Sequence, residues 1–111
     1  MEIAFAEILD DLLSVEKRIP IKDTQFWVTP DKRIKIRTLS ELKLISLKET
    51  GTLLSVENLT EQGINLLEKV RNYDVRQNII DICEDLEIKE FETFLKVVDT
   101  VFVEYIKKNI N

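Results

Sequence analysis

Residues 36–70 read IRTLSELKLISLKETGTLLSVENLTEQGINLLEKV, and the order of patterns in this stretch decides the fold. Apolar residues at helical spacing in its first part predict a helix over 31–44. Short alternating segments on either side of Gly51 predict two strands within 46–58, because glycine permits the tight turn between them. Thr60 then caps a helix that runs to about residue 72. The core positions that we expect in this helix are Ile64, Leu66, Leu67 and Val70.

The segment just before this stretch allows two interpretations. Pro30 and Asp31 fit the first turn of a helix, and they also fit a hairpin turn. In the second case 26–28 and 33–38 would pair as strands, since polar and apolar residues alternate over 33–37. We favour the helix, because the residues after Thr38 do not alternate, and the hairpin remains the alternative. A short helix ending at residue 28 is expected before it.

Helices are also predicted at both ends of the chain. The first spans 2–15, and the tail over 74–110 forms two helices divided near 85–89. With only two glycines and two prolines, the chain lacks the turn residues of a sandwich or barrel. The predicted fold class is therefore mainly α with a small β-hairpin (α+β), in a single domain over 1–111. The apolar face of the first helix consists of Ile3, Phe5, Ala6, Ile8, Leu9, Leu12 and Leu13.

The helix end LSELKLI and the helix start LTEQGINLLEKV bracket the predicted strands. This order resembles the winged helix-turn-helix DNA-binding proteins, loosely those of the multiple-antibiotic-resistance repressor family, in which "LxxLxxLGLI" and "LTExGxxLLExL" bracket the wing. Lys43 stands where that pattern has glycine. The resemblance implies a recognition helix at about 31–44 and a wing at about 46–58. It further implies a helix-turn-helix and wing core over 1–72, and a helical dimerisation region over 73–111.

Charge is unevenly distributed along the chain. The whole chain has a formal net charge of −5. Nine basic and four acidic residues lie within 16–48, so this segment carries +5 and the remainder −10. A basic segment in an acidic protein is the pattern expected when one surface binds phosphate and the remaining surface keeps the protein soluble. The alternative is chance clustering of lysines.

Together with the resemblance, this segment supplies the candidate DNA contacts. Basic side chains of the proposed reading helix could reach phosphates or guanine edges in the major groove. Wing residues and residues at the domain edge could add backbone contacts. The candidates are Lys32, Arg33, Lys35, Arg37, Thr38 and Ser40 on the helix, Lys48 and Thr50 on the wing, and Lys17, Arg18 and Lys22 at the edge.

The C-terminal helix carries a wide apolar stripe that suggests a second copy of the chain as partner. In repressors of the resembled family, tail helices pair across a two-fold axis, and a two-fold dimer suits a palindromic site. The alternative is that the stripe packs on Ile3, Ile8 and Leu12 of its own chain. The expected dimer interface is Phe91, Phe94, Leu95, Val98, Val101, Phe102 and Tyr105.

Residues suited to catalysis are scarce. The chain has no histidine and one cysteine, Cys83, which rules out histidine-based triads and the usual zinc sites. Two glycines cannot form a phosphate-binding loop. We therefore expect no enzyme activity, no cofactor and no metal. Acidic residues interrupt the N-terminal apolar segment, so we also expect no signal peptide, no membrane span and a cytoplasmic location.

Two function classes follow from the sequence. The first is a homodimeric, sequence-specific transcriptional regulator that binds duplex DNA. The second is a winged-helix protein-interaction module, or a small adaptor of phage or plasmid type, that does not bind DNA. The basic segment favours the first class, whereas the acidic balance and the single lysine in the wing favour the second.

Overall fold

The computed structural model describes residues 4–17, 30–50 and 53–109. Within these ranges the predicted α+β class is confirmed: five helices accompany one antiparallel hairpin. The elements are α1 (Phe5–Glu16), α2 (Pro30–Glu41), β1 (Ile45–Thr50), β2 (Leu53–Leu59), α3 (Glu61–Val70), α4 (Tyr73–Asp85) and α5 (Phe91–Asn109). Among the described helices, none has an apolar stretch long enough to cross a bilayer.

The helical interpretation of the segment after Pro30 is confirmed. Residues 33–38 lie inside α2, so the strand alternative for them is wrong. The short helix expected to end at residue 28 lies outside the described residues. Helix α2 is also shorter than predicted, since it ends at Glu41 rather than at residue 44.

Two hydrogen bonds close the C-terminus of α2. The Lys43 N–H donates to the Ser40 carbonyl (2.9 Å), and the Leu44 N–H donates to the Leu39 carbonyl (3.0 Å). This is the Schellman arrangement, and Lys43 occupies its left-handed position with φ 62°. Leu39 and Leu44 are both buried, which supplies the apolar contact that accompanies the motif. Lys43 therefore ends α2 in the left-handed conformation that glycine usually adopts at this position.

The hairpin occupies almost the predicted range. Ile45 pairs with Leu59 and Ser46 with Asn58, after which the register shifts and Leu47 pairs with Val56. Glu57 is thus the extra residue of a bulge, which increases the local twist near the base of the hairpin.

Helix α3 begins at the base of the hairpin, as predicted. The Thr60 hydroxyl accepts a hydrogen bond from the Gly63 N–H (3.0 Å) and donates to the Lys43 carbonyl (2.5 Å). The Thr60 N–H donates to the Leu44 carbonyl (3.1 Å). One threonine therefore caps α3 and fixes its start to the end of α2.

The core lies between α1 and the three C-terminal helices, and α2 and the hairpin pack on it at one side. The buried face of α3 consists of Gly63, Leu66, Leu67 and Val70. Ile64 was predicted to lie in this core but is 44% exposed. The reason is geometric, since Ile64 lies about 100° around the helix from Gly63 and therefore off the buried face.

The apolar stripe of α5 is largely covered by its own chain. Phe94, Val98 and Val101 are buried in the core, and the Phe5 ring of α1 stacks on Phe94 with centroids 4.4 Å apart. The prediction that these three residues face a second copy is therefore wrong, and the own-chain alternative describes them. The remaining residues of the predicted interface are partly buried: Phe91, Leu95, Phe102 and Tyr105.

Candidate nucleic-acid interface

The interface predicted from the sequence centres on α2, whose inner and outer faces differ sharply. Ile36 and Leu39 are buried against the core. At 100° per residue, Ile34 and Glu41 project from the opposite face. Ile34 is 56% exposed. The outward face of the proposed reading helix therefore presents an apolar side chain and a carboxylate as well as cations.

Two of the lysines predicted to contact DNA lie toward α1. Lys32 and Lys35 line a shallow depression with Asp11 and Ser14 of that helix. The Lys35 Nζ lies 3.9 Å from the Asp11 carboxylate. Burial raises the pKa of Asp11, and the charge of Lys35 offsets part of that rise. Lys35 thus balances a partly buried carboxylate, and its ammonium group lies at the α1 edge of α2.

Arg37 joins α2 to the hairpin. Its Nη1 donates to the Glu49 Oε1 of β1 at 2.5 Å. Both side chains are about half exposed, at 50% and 51%. The ion pair is therefore solvated, and it places a carboxylate beside the guanidinium group that was predicted to meet DNA.

The other helix candidates differ in how accessible they are. Lys32 is exposed, whereas Arg33, Thr38 and Ser40 are half-buried. The Thr38 hydroxyl donates to the Ile34 carbonyl of its own helix (2.9 Å). This bond leaves the oxygen of Thr38 as an acceptor, which suits a base amine better than a phosphate.

The candidates outside α2 are only partly described. Lys48 is exposed on β1, and Lys17 is exposed at the end of α1. Thr50 closes β1. Arg18 and Lys22 lie outside the described residues. Lys48 is thus the exposed cation among the described residues of the hairpin.

The structure adds two residues that were not among the sequence candidates. Lys43 is exposed and lies between α2 and β1, at the base of the hairpin. Glu49 faces Arg37 across that junction. The glycine position in the resembled motif could have indicated Lys43. The alternation of residues along a strand predicts which side chains share a face of the hairpin. It does not predict that Glu49 lies beside Arg37 of α2.

The charge of the described residues is polarised. Residues 30–59 contain six basic and four acidic side chains, 61–109 contain seven basic and eleven acidic ones, and 4–17 contain one basic and four acidic ones. The segment of α2 and the hairpin is therefore net positive, whereas α1, which packs on α2, and the C-terminal helices are net negative. This polarity favours an anionic partner at the α2–hairpin end.

No arrangement suited to metal binding occurs within the described ranges, where no three Cys, Asp or Glu side chains group closely enough. A cavity of about 440 Å³ lies between the start of α1 and the end of α4, with Phe5, Ile80 and Cys83 in its wall. Burial raises the pKa of the Cys83 thiol, so the reactive thiolate is disfavoured there.

The candidate interface is therefore a helix and a hairpin fixed at one junction, with a net positive charge and the Arg37–Glu49 ion pair between them. No protein-family model, no curated protein and no solved structure matches this chain.

Proposed function

We propose that this protein is a winged-helix transcriptional regulator that binds duplex DNA through α2 and the β1–β2 hairpin. The observation that supports this most is the junction at Leu44 and Thr60, which joins α2, the hairpin and α3 in the chain order that a reading helix, a wing and a following helix would have. The excess of basic side chains at this end of the molecule adds electrostatic support.

In this proposal α2 enters the major groove, whose width of about 12 Å admits a helix of about 10–12 Å diameter. Arg33 and Arg37 contact phosphates or guanine edges, whereas Lys32, on the side of α2 toward α1, contacts phosphate only. Lys43 and Lys48 contact the backbone beside the wing. Phosphate contacts hold the protein in register, and the base-edge contacts select the sequence.

We further propose that the regulator is a homodimer, with an interface that differs from the buried stripe of α5. Leu95, Phe102 and Ile106 are separated by seven and four residues, so they share one flank of the helix. Val103, 46% exposed, extends this flank outward. Pairing of two such flanks would place two reading helices about a two-fold axis, as a palindromic site requires.

A protein-interaction module is the second candidate, and one observation favours it. Ile34 is an exposed aliphatic side chain on the outer face of α2, where a phosphate-binding surface gains nothing from it. Arg37 beside it is already neutralised by Glu49. An apolar side chain with balanced charges around it is the composition of a small protein-binding surface.

Titration of the protein with random-sequence duplex DNA at several salt concentrations tests the proposal. The logarithm of the non-specific association constant should fall linearly with the logarithm of the salt concentration, because phosphates release counterions when the protein binds them. Lys48→Ala should reduce the magnitude of the slope by about 0.9, the value for one lost phosphate contact on duplex DNA.

Lys96→Ala is the matched control, since Lys96 is an exposed lysine on α5. It should leave both affinity and slope unchanged. A folded protein that binds no duplex at low salt, or an equal loss in the two variants, would refute the DNA interface and favour the protein-interaction module.

A further inference from the structure

The Arg37–Glu49 ion pair lies where the proposed DNA surface needs a free cation. Glu49 is the penultimate residue of β1 and pairs with Leu54 across the hairpin. Its carboxylate reaches back to the Nη1 of Arg37 on α2. The pair thus connects the outer half of the wing to the middle of the reading helix.

A carboxylate in this position competes directly with DNA. A phosphate that approaches Arg37 meets a group of its own sign within hydrogen-bond distance of the guanidinium. A bidentate contact to guanine needs two N–H donors on one side of the arginine, and Glu49 already holds one of them. Because the pair is solvated, it exchanges readily and is not a fixed part of the core.

We propose that Glu49 acts as an internal competitor for Arg37 that lowers the affinity of this protein for non-specific DNA. In the free protein the carboxylate occupies the guanidinium group. A phosphate of non-specific DNA can contact Arg37 only if it displaces the Glu49 carboxylate. A correctly placed guanine offers Arg37 two acceptors in place of the one that Glu49 provides. The carboxylate therefore raises the ratio of specific to non-specific binding. This inference rests on the proposed DNA-binding function.

The variant that tests it is Glu49→Gln, which keeps the shape of the side chain and removes the charge. Its affinity for random duplex DNA should rise roughly five- to tenfold at 0.1 M salt relative to wild type, as expected for one additional counterion released. The log–log salt slope should become steeper by about 0.9. Circular dichroism checks that the variant is folded, which we expect because both side chains of the pair are half exposed.

Glu57→Gln is the matched control. Glu57 is exposed on β2, so its substitution removes the same unit charge from the same hairpin. The general loss of negative charge should raise affinity by no more than about twofold and leave the salt slope unchanged, because no new phosphate contact forms. The double variant Arg37→Ala with Glu49→Gln completes the comparison, and there the gain should vanish.

Three results would overturn the inference. If wild type binds DNA and Glu49→Gln changes affinity and salt slope no more than Glu57→Gln does, Glu49 does not compete for Arg37. The proposed function then stands. If the gain persists with Arg37→Ala, the carboxylate acts through another group. If neither wild type nor Glu49→Gln binds duplex DNA at low salt, the proposed function itself fails and the inference fails with it.

Discussion

The α-carbon of Gly63 lies directly against the backbone carbonyl oxygen of Leu44, so that a Cβ built at Gly63 would overlap that oxygen. The same carbonyl accepts the Thr60 N–H at 3.1 Å. Two elements far apart in sequence thus meet through backbone atoms. The close approach fixes the angle between the end of α2 and the start of α3.

The first prediction concerns this approach. In an exposed helix, replacing glycine by alanine stabilises by about 1 kcal/mol. Here Gly63→Ala should instead destabilise by about 1–3 kcal/mol, because the new methyl group can be accommodated only by moving backbone. Urea unfolding followed by circular dichroism measures the difference.

Asn65→Ala is the control for Gly63→Ala, since Asn65 is exposed on the same helix. This variant should be more stable than wild type by a few tenths of a kcal/mol, because alanine has a higher helix propensity than asparagine. A Gly63→Ala protein as stable as wild type would show that α3 is not held against Leu44.

The second prediction concerns Lys43, whose φ of 62° is in the left-handed region. A side chain costs roughly 1 kcal/mol in this conformation, and glycine does not incur that cost. Lys43→Gly should therefore unfold at higher urea concentration than Lys43→Ala, by about 1 kcal/mol in free energy, although glycine increases the entropy of the unfolded chain.

Glu87 provides an independent repeat of this test. Its φ is 52°, and the same pair of hydrogen bonds closes α4, with the Ile88 N–H donating to the Cys83 carbonyl. The free energy of unfolding of Glu87→Gly should exceed that of Glu87→Ala by a similar amount. Equal stability of the glycine and alanine variants at both sites would contradict the left-handed assignment.

The third prediction separates the buried core face of α5 from its exposed flank. Val98 is 1% exposed and Val103 46%. Val98→Asp should unfold the protein, since a carboxylate without a partner is strongly disfavoured in an apolar core. Val103→Asp should stay folded and monomeric if the exposed flank forms the dimer. Circular dichroism and light scattering at several concentrations report the two effects separately, and a folded Val98→Asp protein would contradict the burial of this face.

The fourth prediction concerns acid stability. Arg71 donates to both carboxylate oxygens of Glu16, at 2.9 and 2.6 Å, and this hydrogen bonding lowers the pKa of Glu16 below the ordinary glutamate value. The folded state then binds fewer protons than the unfolded state in the window between the two pKa values. The pair therefore stabilises the fold above the unfolded pKa, and this contribution is lost as the pH falls through the folded pKa.

Glu16→Gln should remove that part of the acid dependence, so its free energy of unfolding should approach that of wild type as the pH falls through the window. Glu104→Gln, at an exposed glutamate on α5, is the control and should keep the wild-type profile. Unfolding curves at a series of pH values below neutrality measure both. Parallel profiles for wild type and Glu16→Gln would show that the pair does not affect folding.

Local signals in the sequence predicted most of the secondary structure. The Thr60 cap located the start of α3 to the residue. The stretch near 85–89 was predicted as a break, and the structure places the end of α4 and the start of α5 on either side of it. These features depend on side chains near in sequence, so a single chain is enough to read them.

Features that depend on tertiary packing could not be read in this way. Helical periodicity identified the apolar stripe of α5, but not which surface covers it, and Phe5 of α1 covers its centre. Charge counts identified Lys35 and Arg37 as cations, but not their neighbours Asp11 and Glu49, which come from other elements. The candidate surface is consequently less positive than its segment charge suggests.

The hairpin can also be treated as a lever whose base lies at Leu44 and Thr60. Thr50 lies five residues beyond Ile45, an arm of about 17 Å at roughly 3.3 Å per residue. A rotation of about 10° at the base would move the end of such an arm by about 3 Å. The Thr60 N–H donates to the Leu44 carbonyl and Gly63 lies against the same carbonyl, so two backbone contacts limit that rotation. The positional precision of the hairpin is therefore set at its base by these contacts, and the exchangeable Arg37–Glu49 pair adds a restraint only while it is formed.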